Sequence, residues 1–211
     1  MPSPFSPEMF ERMDDSDDAL FYQSPRKVVH IDDGAIAAAV QAIAEILPPH
    51  SVLLDLMSSW RSHFPADFAR HQLIGLGLNA EEMADNPDLD EYVVHDLNAN
   101  PQLPFAHETF DGAVVTVSIQ YMTRPLETFA EMARILKPAA PFLVLFSNRM
   151  FPTKAVRVWQ SLRDGQRASL IRAYFEHAGG FDTPEFRDFS LQPGISDPLF
   201  AVWARKRIAS A

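Results

Sequence analysis

The stretch SVLLDLMSSWRSHFPAD, residues 51–67, decides how this chain is read. Val52, Leu53 and Leu54 are continuous apolar residues, the pattern of a parallel strand covered on both faces. Asp55 falls where that strand ends. A polar loop follows, with Ser58, Ser59, Trp60, Ser62 and His63. Open α/β sheets bind ligands just outside the carboxyl ends of their strands. There, an acid suits an ammonium, and free backbone N–H groups beside small hydroxyl residues suit a carboxylate. The pattern is that of a zwitterionic ligand. Trp60 offers a face for stacking on cofactor or substrate. His63 offers a base whose unperturbed pKa lies near neutrality.

Upstream, Asp32 or Asp33 caps a helix carrying Ile36, Val40, Ile43 and Leu47 on one face, which Pro48 and Pro49 end. Downstream, the chain reads as a short helix at 65–70 and a second strand from Gln72 to Leu78. A polar stretch broken by Pro87 leads to a third strand, Tyr92 to His95, ending at Asp96. A fourth strand is expected within 110–119. Pro125 then opens a helix with Leu126, Phe129, Met132 and Leu136 inward. PFLVLF at 141–146 is a fully buried fifth strand. One or two helices in 153–177 bury Leu170, Ile171, Tyr174 and Phe175, and Gly179-Gly180 stops them. Strands at 186–191 and 198–206 follow. The sum is an α/β fold: a Rossmann-like, open, seven-stranded, mostly parallel sheet with a C-terminal antiparallel hairpin and helices on both faces.

Residues 33–211 form one domain in this reading. Residues 1–32 form an N-terminal arm. Its first twenty residues, rich in Pro and Asp, are expected to be mobile. Its aromatic, Arg- and His-bearing part at 21–32 suits a lid that brings Arg26 and His30 over the pocket.

Of 211 residues, 47% are hydrophobic and 22% charged, an ordinary globular balance. The absence of cysteine removes disulfides, thiolate nucleophiles and Cys-based metal sites. Seven scattered histidines show no ligand spacing, so no metal is expected. A net charge of −10 argues against nucleic acid and anionic membranes as partners. No apolar run approaches the ~18 residues of a membrane span. The acidic, Pro-bearing N-terminus is unlike a leader, so the cytoplasm is the expected location, with a small molecule as the partner.

Three stretches, the opening one among them, carry a family resemblance. SVLLDLMSS resembles the V-L-D-x-G-x-G strand and loop of the class I S-adenosylmethionine-dependent methyltransferases, particularly the small-molecule group called methyltransferase type 11. HDLNANPQLPFAHETFD resembles that group's D-A-x-x-L-P-F and F-D stretch, with an insertion. ETFAEMARILKPAAPFLVLFS resembles its E-x-x-R-V-L-K-P-G-G helix and fifth strand. YQSPRKVVHID at 22–32 followed by DLMSSWRSHFP at 55–65 is also similar to a plant and bacterial subgroup. That similarity ties Tyr22, Pro25, Arg26, His30 and Asp32 to the cofactor loop.

The resemblance implies S-adenosylmethionine as cofactor and methyl transfer to a small-molecule acceptor. It places Asp55, Met57, Ser58 and Ser59 at the cofactor's amino-acid end. Asp96 and Leu97 fall at the adenine, with the Asp carboxylate on the amino group and the Leu N–H facing the ring. Ser118, Gln120 and Tyr121 follow strand four, where substrate and methyl group meet. Asn148 and Arg149 follow strand five and face the same crevice. His63 or His30 is the base for a neutral acceptor hydroxyl. The chain departs from the pattern at the loop glycines, replaced by Met57, Ser58 and Ser59. It also lacks the acid that ends strand two and holds the ribose. Gly77 stands there, and Asn79, Glu81 or Glu82 is the substitute. Ala139-Ala140 replaces Gly-Gly. These departures support one alternative, a non-catalytic binding or interaction protein with a degraded cofactor loop. A second, NAD binding at Gly75-Leu76-Gly77-Leu78-Asn79-Ala80, fails because that fingerprint should follow the first strand and open a long helix.

Overall fold

β1 (Val52–Leu56) runs through the middle of a seven-stranded sheet in the computed structural model, which describes residues 4–208. The others are β2 (Gln72–Gly77), β3 (Glu91–Val94), β4 (Gly112–Thr116), β5 (Pro141–Phe146), β6 (Glu185–Asp188) and β7 (Phe200–Arg205). The strand order is β3-β2-β1-β4-β5-β7-β6. β1 to β5 are parallel, and β7 runs antiparallel to both β5 and β6. This is the mixed sheet with a closing antiparallel pair that the sequence predicts. Its topological switch point lies between β1 and β4, where Leu53 pairs with Gly112 and Leu56 with Val115.

Side-chain alternation sorts the core into two layers. Leu54, Leu56, Ala113, Val115, Phe142 and Val144 face one way. They pack against Phe129 and Met132 of α4 (Pro125–Ile135) and Tyr174 and Phe175 of α6 (Asp164–Ala178). Leu53, Leu73, Val114 and Leu143 face the other way, against α2 (Asp33–Ile46). Asp32 caps α2 by accepting from Ala35 N at 2.9 Å. The buried stripe of α2 differs from the expected one. Ala35, Ala38, Ala39 and Ala42 are inside with Ile43 and Ile46, while Ile36 and Val40 sit at its margin. Alanine lets the helix lie close on the sheet, and a stripe of methyl groups is invisible to a count of large apolar residues.

Three further expectations change. No helix forms at 65–70. Residues 57–71 cross from β1 to β2 without one, although parallel strands are ordinarily joined through a helix. Phe64 and Phe68 plug the sheet face there instead. The polar stretch after β2 contains the short α3 (Ala80–Ala84). The N-terminal segment, expected to be mobile over residues 1–20, packs on the domain over its described part. It carries a 3-10 turn at Pro7–Phe10, with Phe10 against Tyr174, and a single helical turn, α1 (Asp18–Phe21). The short α5 (Arg157–Ser161) precedes α6.

Candidate functional site

The loops that leave β1, β2, β3, β4 and β5 at their carboxyl ends surround one cavity of about 600 Å³. Ligands of open α/β sheets bind at that edge. Met57, Ser58 and Ser59 come from the first loop, Asn79 from the second, and Asp96 and Leu97 from the third. Ser118 and Tyr121 follow β4, and Asn148 and Arg149 follow β5. The N-terminal segment supplies the remaining wall with Asp18, Tyr22, Arg26 and His30. Twelve of the sixteen residues singled out from the sequence therefore meet at one place: Arg26, His30, Met57, Ser58, Ser59, Asn79, Asp96, Leu97, Ser118, Tyr121, Asn148 and Arg149.

The other four do not reach it. Asp55 shares its sheet face with Leu53, because side chains alternate, and so points toward the α2 layer. It is 3% exposed and accepts hydrogen bonds from Ser58 Oγ and Ser62 Oγ, each at 2.6 Å. Its pKa is pushed up to about 7, chiefly by burial, with the two hydroxyls opposing. Asp55 thus holds the loop from beneath. Trp60 and His63 lie with it around a smaller adjoining space of about 90 Å³. Trp60 Nε1 donates to Val28 O at 3.0 Å, which explains its orientation. Burial lowers the pKa of His63 and keeps it neutral near pH 7. Gln120 is buried, and its Nε2 donates to Val117 O at 2.9 Å, bracing the turn after β4.

The glycine-free first loop follows its own path. Met57 takes φ 58, the left-handed conformation that glycine favours. The chain then crosses the end of β2, where Ser58 N donates to Leu76 O at 2.8 Å. A Cβ on Gly77 would come 2.2 Å from Ser58 O, so the crossing requires glycine there. This accounts for a glycine where the resembled family has an acid.

Asn79 serves as the N-cap of α3, accepting from Glu82 N at 2.9 Å, and its Nδ2 donates to Tyr22 O at 2.8 Å. Glu82 accepts from Ser59 Oγ and from Arg26 N. The tie between residues 22–32 and the cofactor loop, expected from the subgroup similarity, is made of these contacts. Asp96 accepts from Asn98 N at 2.9 Å and Ala99 N at 3.2 Å, which leaves its second oxygen for a ligand.

Asp18 and Lys154 escaped the sequence reading. Lys154 is fully buried and lies 3.2 Å from Asp18 and 3.4 Å from Asp14. Asp18 also receives Arg12 at 2.8 Å and Asn98 Nδ2 at 2.9 Å. Burial opposes its charge, but these donors hold its pKa below the ordinary carboxylate value. A run of four aspartates gave no sign of which one is buried. Phe151 was likewise missed. It meets His30, Phe21 and Tyr121 at ring distances of 4.8, 5.8 and 6.0 Å. Among the described residues, no three His, Asp or Glu side chains converge as a metal site, and no helix is long and apolar enough to cross a membrane.

Residues 62–144 match the family described as "Methyltransferase domain", the type 11 methyltransferases. Over 63 residues the chain is 35% identical to the biotin biosynthesis bifunctional protein BioHC of Teredinibacter turnerae. That alignment spans 30% of this chain and only 11% of the relative's length. Among solved structures, a SAM-dependent methyltransferase of Aquifex aeolicus shares the fold at TM-score 0.59 and 12% identity, over 96% of this chain and 99% of that one. The [4+2]-cyclase SpnF also shares it, at TM-score 0.59 and 17% identity, over 89% and 90%. These likenesses concern the fold. Family match and sheet order together bear out the resemblance to the class I S-adenosylmethionine-dependent methyltransferases, type 11-like, that the sequence carries.

Proposed function

We propose that this protein binds S-adenosylmethionine and transfers its methyl group to a small-molecule acceptor. One observation supports this above the others. The 600 Å³ cavity opens at the carboxyl ends of five parallel strands, with Asp96 at one end and the Met57–Ser59 loop along its wall. The donor set fits such a cofactor. Leu76, Leu78 and Leu97 give apolar surface for a purine, and Asp96 keeps a carboxylate oxygen for its amino group. Glu82 and Asp96, which carry no ion pair among the described residues, make the cavity favourable to a cationic sulfonium and ammonium. Asn79 and Ser58 reach the same wall, although their side chains are partly committed to α3 and to Asp55.

When bound, S-adenosylmethionine supplies a methyl group already activated by the adjacent positive sulfur. What remains for the chain is positioning, exclusion of water and, for a hydroxyl acceptor, removal of a proton. The segment 18–30 closes one side of the cavity and limits water. His30 lines it, and burial lowers its pKa, so its imidazole is neutral near pH 7 and able to accept a proton. His63 is neutral as well but lines only the smaller space, whereas His30 lines both, so His30 is the base in this proposal. Incubation with S-adenosylmethionine labelled in the methyl group and a panel of small carboxylic, phenolic and amine acceptors tests the reading. Label transfer that falls at least about tenfold in His30→Ala supports it for hydroxyl acceptors. No transfer and no cofactor binding by folded protein would reject it.

A further inference from the structure

The charged side chains around the cavity are paired, with one exception. Asp18 is held by Arg12, Lys154 and Asn98, and Glu82 by Ser59 and the Arg26 backbone. Asp96 receives two backbone N–H groups. Arg149 Nε lies 3.2 Å from Asp197. The Arg26 guanidinium makes no ion pair or hydrogen bond among the described residues. Its Nη1 is nevertheless shielded from solvent. A guanidinium that lines the cavity without a carboxylate on it is a ready partner for an incoming anion, through the N–H groups other than the shielded one.

The position of that guanidinium narrows the anion. The Arg26 backbone is tied to Glu82, beside β2, but its side chain reaches across the roof. The guanidinium carbon lies 4.3 Å from the centre of the Phe21 ring, 5.7 Å from Tyr22 and 5.9 Å from Phe151. Phe151 belongs to the loop after β5, and Tyr121, stacked near it, to the turn after β4. The Arg26 guanidinium thus stands against rings of the N-terminal segment and of the loop after β5. The surrounding walls are flat and aromatic.

We propose that the acceptor is a small carboxylic acid with a flat apolar body, its carboxylate bound by the Arg26 guanidinium and its body beside Tyr22, Tyr121 and Phe151, which line the same cavity. The inference rests on the methyl-transfer reading and narrows its substrate class. It concerns the handle by which the acceptor is held, and places no bond-making step on Arg26. Arg26 acts as a specificity determinant, because a neutral analogue would leave its guanidinium as unpaired as before.

Calorimetric titration of the full chain tests it. Benzoate and its neutral isostere benzamide are titrated with S-adenosylhomocysteine saturating. S-adenosylhomocysteine and 5′-methylthioadenosine, which lacks the amino-acid carboxylate, are titrated separately. Wild type, Arg26→Gln and Arg26→Lys are compared. The proposal expects benzoate to bind wild type at least about tenfold more tightly than benzamide. It expects Arg26→Gln to lose that preference, Arg26→Lys to keep part of it, and S-adenosylhomocysteine affinity to stay within about twofold in both. Equal affinity for benzoate and benzamide in wild type, or no benzoate binding, would overturn it without recourse to a variant. Loss of S-adenosylhomocysteine but not 5′-methylthioadenosine affinity in Arg26→Gln would also overturn it, by giving Arg26 to the cofactor carboxylate. Arg26-dependent benzoate binding with no S-adenosylhomocysteine binding would overturn the methyl-transfer reading and leave an anion site standing.

Discussion

Met57 and Ala139 keep left-handed backbone, φ 58 and φ 65, at places where the resembled family has glycine. The backbone path is the one that suits glycine, and the residue is not glycine. Ala139 is exposed, so its methyl group gives little packing in return. Ala139→Gly should stabilise the protein by roughly 0.5–1 kcal/mol, strain relief outweighing the added freedom of the unfolded chain. Chemical denaturation measures this, and a loss of stability would contradict it. Gly77 is the reverse case. Gly77→Ala drives a Cβ against the Ser58 carbonyl and should cost about 1–3 kcal/mol or displace the loop. Asp55 makes stability depend on pH. Its folded pKa of about 7 stands above its ordinary 3.8. Between those values the folded state holds a proton that the unfolded state has released. Stability therefore falls as pH rises from about 4 to 7, by up to about 4 kcal/mol, and the cost is constant above that. Asp55→Asn should flatten the decline in denaturation free energy over that window. An unchanged slope would show that Asp55 is ionised in the folded protein.

The elements legible in the sequence were those whose cause is local. PFLVLF is a strand from Pro141 to Phe146 because six consecutive buried apolar residues between a Pro-bearing turn and a polar loop allow little else. Asp32, Pro125 and Gly179 mark helix ends by their own chemistry. The connection at 57–71 was misread because a helix is the default crossover, whereas Phe64 and Phe68 fill that layer by packing across the molecule. The N-terminal segment was legible at Tyr22, Arg26 and His30, which line the cavity. Its fastening was not, since Lys154 lies 136 residues from Asp18 and nothing local pairs them. Asp18→Ala leaves Lys154 and Arg12 buried without a shared partner and should cost about 3–5 kcal/mol. Hydrogen exchange should show the loss concentrated in residues 12–30. Uniform loss across the sheet would mean that the strap and the core unfold together.

For the whole molecule, the sheet order places five loops at one edge, and the N-terminal segment covers them. The sequence led to that edge because each strand end could be counted separately. It did not show which strand-end residues face the cavity and which brace it. Asp55 looked like a ligand acid, but alternation along β1 turns it to the opposite face. The account's central claim is that this edge holds S-adenosylmethionine. Titration calorimetry of the full chain with S-adenosylmethionine, S-adenosylhomocysteine and NADH tests it most directly. The account predicts micromolar binding of the first two, at least about tenfold weaker in Asp96→Ala, and no heat from NADH. Folded protein that binds neither sulfur nucleoside, or binds NADH alone, would contradict it.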